Sequence, residues 1–140
     1  MIKRNDRLAA FRSIALFRAC SDEELGQIDA VSDEVRIEAG RDLIRQGDLG
    51  REFIVLVDRA VTVSRDGEEV ATLGPGAHFG ELALLVDQPR NATVTAITPV
   101  TAQVIDRRGF QSMLDGSPHL TKNLLVSLAR RLSEIEEQQH

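Results

Sequence analysis

Residues 74–94 combine glycines, a glutamate and an arginine in a pattern that suits a ligand carrying both a phosphate and a sugar. Gly80 lets a ligand approach the backbone closely. A short helix predicted over residues 81–85 would present free N–H groups at its start, and such groups attract anions. Arg90 adds a permanent forked cation that matches phosphate oxygens. Glu81 would repel a phosphate, so we expect it to accept hydrogen bonds from a sugar hydroxyl. Phosphate and sugar together indicate a nucleotide.

Two simpler explanations of these residues compete with a ligand site. Glu81 and Arg90 could form a surface ion pair of little energetic value, which we would favour for an arbitrary Glu and Arg. Their place within the whole segment 74–94 favours the ligand instead. Gly74, Gly76 and Gly80 come near the spacing of a dinucleotide-binding loop. The third glycine falls one residue late, however, and no parallel βαβ pattern follows it.

Catalytic and metal chemistry are not indicated by the remaining reactive residues. His78, His119 and His140 are the three histidines, and they lie in separate segments. A metalloenzyme of the cupin type needs several clustered His and carboxylate ligands. Cys20 is the single cysteine and has no neighbouring His or Cys to activate it, which favours an inert thiol. We therefore expect no catalytic residue, no metal site and no enzyme activity.

The composition and charge limit the classes of protein to which this chain can belong. The 140 residues fit one compact domain, and 42% hydrophobic residues with five Phe and no Trp or Tyr predict a largely aliphatic core. The formal net charge of −5 disfavours a general nucleic-acid binder. No apolar run approaches the roughly 20 residues that cross a membrane, and the charged N-terminus lacks an apolar signal core. A cytoplasmic protein is the expectation.

The elements that must position the candidate site begin with helices and continue with strands. Leu8, Phe11 and Ala15 form one helical stripe, and Ser21 with Glu24 resembles a capping box for a second helix. Asp66-Gly67 is a hairpin turn signal. Short apolar stretches separated by turn residues predict strands, which favours a sandwich or barrel. The predicted strands are 35–37, 42–46, 53–57, 61–65, 69–73, 92–96 and 100–105.

Helices return at the C-terminal end. Asp106 is a candidate N-cap, and the segment 116–118 breaks the helix that follows it, so the last helix is predicted over about 119–136. Leucine and isoleucine recur there at spacings of three, four and three residues. This seam packs either on the domain's own barrel or on a second chain in a homodimer. It consists of Leu125, Leu128, Leu132 and Ile135.

The predicted layout is one domain over 1–140 of the α+β class, mainly β. It has a helical region 1–33, a β-barrel with the phosphate site over 34–105 and C-terminal helices over 106–138.

The chain contains two neighbouring motifs, Phe79-Gly80-Glu81-Leu82-Ala83-Leu84 and Pro89-Arg90-Asn91-Ala92-Thr93-Val94. Together they resemble the phosphate-binding cassette of cyclic-nucleotide-binding domains. These domains occur in bacterial regulators of the catabolite-activator type, in regulatory subunits of cAMP-dependent protein kinase and in cyclic-nucleotide-gated channels. The resemblance covers nearly the whole chain and implies an antiparallel double-stranded jelly-roll between N-terminal helices and two C-terminal helices.

The same resemblance implies a role for each site residue. Glu81 would bind the ribose 2′-hydroxyl and Arg90 the cyclic phosphate, while Leu82 and Val94 line the pocket. Backbone amides near the phosphate would come from Gly80, Leu82, Ala83, Asn91 and Ala92. In this family the end of the last helix also covers the purine, which here falls on Ile135 and Glu136.

The function that the resemblance implies is cyclic-nucleotide sensing, with cAMP as the expected ligand and cGMP as the other. A hydroxyl residue after the arginine is associated with cGMP preference in eukaryotic members, and Asn91 stands there instead, so the base stays open. Further alternatives are the ligand-binding part of a longer transcription regulator or channel, and a degenerate member without a ligand. No helix-turn-helix follows the last helix, so direct DNA binding is not expected. The effector is unknown.

Overall fold

The computed structural model describes residues 3–14, 17–80 and 86–138, and it confirms the order of helices, then strands, then helices. The N-terminal helices are α1 (Arg4–Arg12) and α2 (Asp22–Ala30), and the C-terminal ones are α3 (Arg107–Gly116) and α4 (Pro118–Gln138). Between them the strands are β1 (Ser32–Ile37), β2 (Asp42–Ile44), β3 (Leu49–Gly50), β4 (Glu52–Asp58), β5 (Val61–Arg65), β6 (Glu68–Leu73), β7 (His78–Phe79), β8 (Gln88–Pro89), β9 (Thr93–Ala96) and β10 (Val100–Asp106).

The strands form two four-stranded antiparallel sheets, ordered β1-β10-β4-β7 and β2-β9-β5-β6, and β3 pairs separately with β8. Within the described ranges no ladder joins the two large sheets, so the predicted barrel takes the form of two packed sheets. Their shared core is aliphatic, as the composition predicts. It is built from Ile44, Ile54, Leu56, Val61, Val94, Ala96, Val100 and Ala102.

The opposite face of the first sheet packs on the helices, and this second core is also mainly aliphatic. Phe53 and Val55 of β4 point to the helical side, while Ile54 and Leu56 point to the other sheet. Phe17 meets Phe53 edge-on, with ring centroids 5.9 Å apart. Four of the five phenylalanines lie in this core, where each buries a large apolar side chain.

Local signals set the ends of several elements. Ser21 Oγ accepts a hydrogen bond from the Glu24 amide at 3.1 Å, and Glu24 Oε1 accepts one from the Ser21 amide at 2.9 Å, which confirms the capping box. Asp106 Oδ1 accepts from the Gly109 amide at 2.7 Å and caps α3. Asp66 and Gly67 adopt φ values of 54° and 83°, the left-handed backbone that a tight hairpin needs.

Several predicted boundaries shift by a few residues. β1 begins at Ser32, so the helical region ends before residue 33, and β2 ends at Ile44 rather than at residue 46. The pairs β3–β8 and β4–β7 escaped prediction because two-residue strands carry no alternating pattern. Ala15, which completed the predicted stripe of α1, lies outside the described residues.

Helix α4 is anchored at its first half and exposed at its second. Leu120 and Leu124 are buried, and Leu128 packs on the helix-side core. The other three members of the predicted seam face solvent: Leu125 is 62% exposed, Leu132 58% and Ile135 51%. Over the ranges 3–14, 17–80 and 86–138, no helix is both long and apolar enough to traverse a bilayer.

Candidate functional site

A cavity of about 340 Å³ opens where the second large sheet meets the β3–β8 pair. It brings together five of the predicted site residues, namely Gly80, Arg90, Asn91, Ala92 and Val94. The residues that sequence analysis did not nominate for this cavity are Ile44, Val63, Arg65, His78, Phe79, Gln88 and Pro89.

Arg90 is fixed at the cavity by its backbone and by its side chain. Its amide donates to the Asp48 carbonyl, and its carbonyl accepts from the Gly47 amide, both at 2.8 Å. Nη2 of Arg90 donates to the carbonyl oxygen of Glu52 at 2.7 Å. Burial lowers the pKa of Arg90, and the charge of Glu52 partly offsets this. An arginine nevertheless stays charged at physiological pH, so the cavity holds a cation whose position is set in advance.

Two glycines form the notch that holds this guanidinium. A Cβ added at either Gly50 or Gly80 would overlap Arg90. Gly80 also has a φ of 84°, a conformation that other residues adopt only with strain. The predicted need for glycine at residue 80 therefore has a second cause besides ligand approach. Gly50 was missed, since its nearness to Arg90 depends on the pairing of β3 with β8.

One wall of the cavity is aliphatic. Val94 of β9 lies opposite Ile44 of β2 and Val63 of β5 in the strand register. Ile44 and Val94 are buried, and Val63 is partly buried. Such a wall suits the face of a flat, weakly polar ring. The alternation of apolar residues along β5 is the signal that could have nominated Val63.

The other predicted site residues are not among the described residues that line the cavity. Glu81, Leu82 and Ala83 lie outside those residues, as does the short helix predicted over 81–85. Ile135 and Glu136 are exposed near the end of α4 and do not appear in the described cavity lining. Their roles stay predictions.

The segment leading to Arg90 is connected to the C-terminal helices by charge. Asp87 Oδ1 lies 2.6 Å from Arg107 Nη1 at the start of α3, and 4.0 Å from Arg51 Nε. The hydrogen bond from Arg107 is the main cause of the lowered pKa of Asp87. The segment that leads to Arg90 is thus in direct contact with the start of α3 through Asp87 and Arg107.

Over residues 3–14, 17–80 and 86–138, no three His, Cys, Asp or Glu side chains come together in a metal-binding arrangement.

Comparison with known proteins decides the family. Residues 34–117 match the family model described as the cyclic nucleotide-binding domain. The chain belongs to that family. The match includes Gly80, Arg90 and every strand from β2 to β10.

Relatives of this cyclic nucleotide-binding domain include regulators and kinases. The N-terminal domain of a transcriptional regulator from Streptomyces coelicolor A3(2) is 32% identical, with a TM-score of 0.88 over 94% of this chain and 95% of that one. A cAMP-dependent protein kinase regulatory subunit from Yarrowia lipolytica is 34% identical over 78% of this chain and 29% of its own length. A cGMP-dependent protein kinase from Eimeria tenella is 34% identical over 84% of this chain and 12% of its own length. The chain thus spans under a third of these two kinase proteins.

Proposed function

We propose that this domain binds a 3′,5′-cyclic purine nucleotide and acts as a regulatory module without catalytic activity. The sequence predicts cAMP, with cGMP as the alternative. Relatives named for cAMP and for cGMP dependence match at the same 34% identity, so both nucleotides should be titrated against the protein. The observation that carries the proposal is Arg90, a cation held beside an aliphatic wall in a cavity of nucleotide dimensions.

The cavity offers separate partners for the separate parts of such a ligand. The guanidinium of Arg90 would meet the cyclic phosphate, because one of its amino groups is already fixed by Glu52 and the fork needs no reorganisation. The purine would lie against Val63 and Val94. Glu81 is proposed as the acceptor for the ribose 2′-hydroxyl.

Signal output is proposed to pass through the C-terminal helices. Ligand binding at Arg90 would bias the position of Asp87, which is joined to Arg107 and so to α3. The second half of α4 would then close over the base with Ile135 and Glu136. The ligand shifts the populations of open and closed states because it has different affinity for each.

The exposed seam of α4 supports a proposed homodimer. Leu125, Leu132 and Ile135 present apolar side chains to solvent, and a second copy would bury them. Its test is the oligomeric state with and without nucleotide. The similarity to the N-terminal domain of a transcriptional regulator favours a sensory part in a longer regulator as the second candidate role.

Calorimetric titration with cAMP, cGMP and 5′-AMP tests the proposal. One of the cyclic nucleotides should bind and 5′-AMP should bind more weakly, since its phosphate is not held in a ring against the ribose and presents a different shape to the cavity. Arg90→Ala should weaken cyclic-nucleotide binding by more than about tenfold, because a charge-assisted phosphate contact is lost. Arg36→Ala, at an exposed strand position outside the cavity lining, is the control.

Two results would contradict the proposal. Failure of the parent protein to bind any cyclic nucleotide would indicate a degenerate member. Unchanged affinity in Arg90→Ala would remove the phosphate role. For Glu81, 2′-deoxy-cAMP should bind the parent more weakly than cAMP does, and equal binding would remove the ribose role.

A further inference from the structure

A second groove, of about 690 Å³, opens beside the start of α3, and its described lining shares no residue with that of the cavity beside Arg90. We call it the basic groove, because three arginines and one aspartate line it together with a glutamine and a serine. Its lining residues are Arg51, Arg107, Arg108, Gln111, Ser112 and Asp115. The chain as a whole has a formal net charge of −5, so this excess of positive charge is local and would attract an anion to one place on the surface.

The arginines of the basic groove already hold one carboxylate. Asp87 Oδ1 lies 2.6 Å from Arg107 Nη1 and 4.0 Å from Arg51 Nε, so the spacing of these two arginines suits an acidic group. Arg51 still has 65% of its side chain exposed. Arg108 is exposed and makes no hydrogen bond or ion pair with residues 3–14, 17–80 and 86–138. The groove can therefore receive acidic groups in addition to Asp87 or in its place.

One short segment joins the basic groove to the cavity beside Arg90. Asp87 contacts Arg107 at the groove, and the next three residues, Gln88, Pro89 and Arg90, line the cavity. A group that takes Arg107 away from Asp87 would release one end of the segment whose other end carries the cation of the cavity.

We propose that the basic groove is a docking site for a carboxylate-rich segment of a partner protein, which replaces Asp87 at Arg107. Charge complementarity selects this partner, because the forked donors of arginine fit carboxylates and Asp87 already occupies them in that way. The net charge of −5 repels a nucleic-acid backbone.

Docking itself goes beyond the proposed function and does not depend on it. Its coupling to the cavity rests on that function. Because the docked segment would release Asp87, it should lower the affinity for the cyclic nucleotide. Linkage requires that the nucleotide lowers the affinity for the segment by the same factor.

A fluorescein-labelled hexaglutamate peptide tests the docking on the whole, nucleotide-free chain. Fluorescence polarisation measures its binding at low ionic strength, where exposed charges are least screened. Arg51→Gln combined with Arg108→Gln should weaken binding by about tenfold, the product of two exposed ion pairs. Arg36→Gln combined with Arg41→Gln removes the same charge from exposed positions outside the groove and should lose much less. A parent that does not bind the peptide, or equal losses in the two double variants, would overturn the inference.

A thymidine oligonucleotide of the same length separates carboxylate from phosphate chemistry. The acidic chain should bind it more weakly than the peptide. Tighter binding of the oligonucleotide, with the same loss in the variant of Arg51 and Arg108, would make the groove a phosphate site and would overturn the proposed partner.

Asp87→Asn tests the competition between the peptide and the chain's own carboxylate. Loss of this competitor should strengthen peptide binding. Asp115→Asn is the matched control, since it removes the same charge from the lining at a residue that is engaged by the Gln111 amide at 3.1 Å. Equal gains in the two variants would indicate a general charge effect and would overturn the competition at Arg107.

Nucleotide titration with and without saturating peptide tests the coupling. The affinity of the parent for the cyclic nucleotide that it binds should fall about fivefold, at the lower end of typical couplings, and Asp87→Asn should lose this response. An unchanged affinity in the parent would overturn the coupling. A parent that binds the peptide but no cyclic nucleotide overturns the proposed function and the coupling but supports the docking site, whereas the reverse result overturns this inference alone. Thermal unfolding of each variant checks that the fold is kept.

Discussion

The helix-side core and the cavity beside Arg90 both involve β4, but one is closely packed and the other is open. Phe53 is fully buried and closes the space between sheet and helices with ring contacts to Phe17 and His78. Its neighbour Glu52 is exposed and contributes a backbone carbonyl that holds Arg90. The helix-side core is filled with apolar side chains. The cavity stays open and has hydrogen-bond donors at its lining.

This difference separates stability from binding. Close packing makes each buried methylene count towards the free energy of unfolding. A preorganised cavity instead contributes to affinity, since the ligand then finds its partners already in place. Variants in the packed core should therefore change the free energy of unfolding, whereas variants at the cavity should change the ligand affinity.

The largest effect is expected from Phe53→Ala. Removal of a buried aromatic ring leaves a hole between Phe17 and His78, and such changes cost about 3–5 kcal/mol of unfolding free energy. Chemical denaturation measures this loss. Val63→Ala is the counterpart in the cavity wall and should lower nucleotide affinity with a much smaller loss of stability. If Val63→Ala destabilises as much as Phe53→Ala does, the cavity wall is part of the packed core and the comparison fails.

A smaller effect is expected from Gly80→Ala, for which Gly40→Ala is the matched control. Both glycines have a φ near 80°, 84° at Gly80 and 81° at Gly40, so alanine at either costs about 1 kcal/mol in backbone strain. A Cβ at Gly40 meets open space, whereas one at Gly80 overlaps Arg90 and lies 2.7 Å from the Glu52 carbonyl oxygen.

Only Gly80→Ala should therefore lose nucleotide affinity, by about tenfold or more, since it displaces the cation that we propose binds the phosphate. Calorimetry measures the affinity, and denaturation should show that both variants lose unfolding free energy through the backbone strain. Equal affinity in the two variants would show that the position of Arg90 does not depend on the glycine notch.

How far the sequence predicted these regions follows from the range of the interactions. The Ser21 capping box, the Asp106 cap and the Asp66-Gly67 turn depend on residues within one turn of each other, so their patterns were sufficient. The family cassette likewise placed Gly80 and Arg90 together. Gly50 and Arg65 were missed because their relation to the cassette depends on pairing between distant strands, which no local pattern states.

The core showed the same limit. Composition predicted an aliphatic interior, and the space between the two sheets is aliphatic. The helix side is mainly aliphatic too, but it gathers four of the five phenylalanines, and Phe11, Phe17 and Phe53 converge there from three separate segments. A count of residue types carries no information about which core the phenylalanines enter.

The smallest effect is expected from a change of Glu24, a buried carboxylate on the helical side. The change tests whether a charge in that region contributes to the free energy of unfolding. Burial alone would raise the pKa of Glu24. Hydrogen bonds from the Ser21 amide, from His119 and from the Ser21 hydroxyl outweigh burial, so the pKa is lowered. A lowered pKa means that the carboxylate adds stability above its unfolded value, near 4.3. That contribution is lost as the pH falls through the folded-state pKa.

Glu24→Gln should accordingly cost about 1 kcal/mol of unfolding free energy at neutral pH, because charge-assisted hydrogen bonds become neutral ones. The difference from the parent should shrink as the pH falls below about 4. Denaturation curves at several pH values measure it, and Glu23→Gln, exposed on the same turn, is the control. A difference that stays constant down to acid pH would mean that the carboxylate acts by shape alone. The stability of the helical side would then not depend on the charge of Glu24.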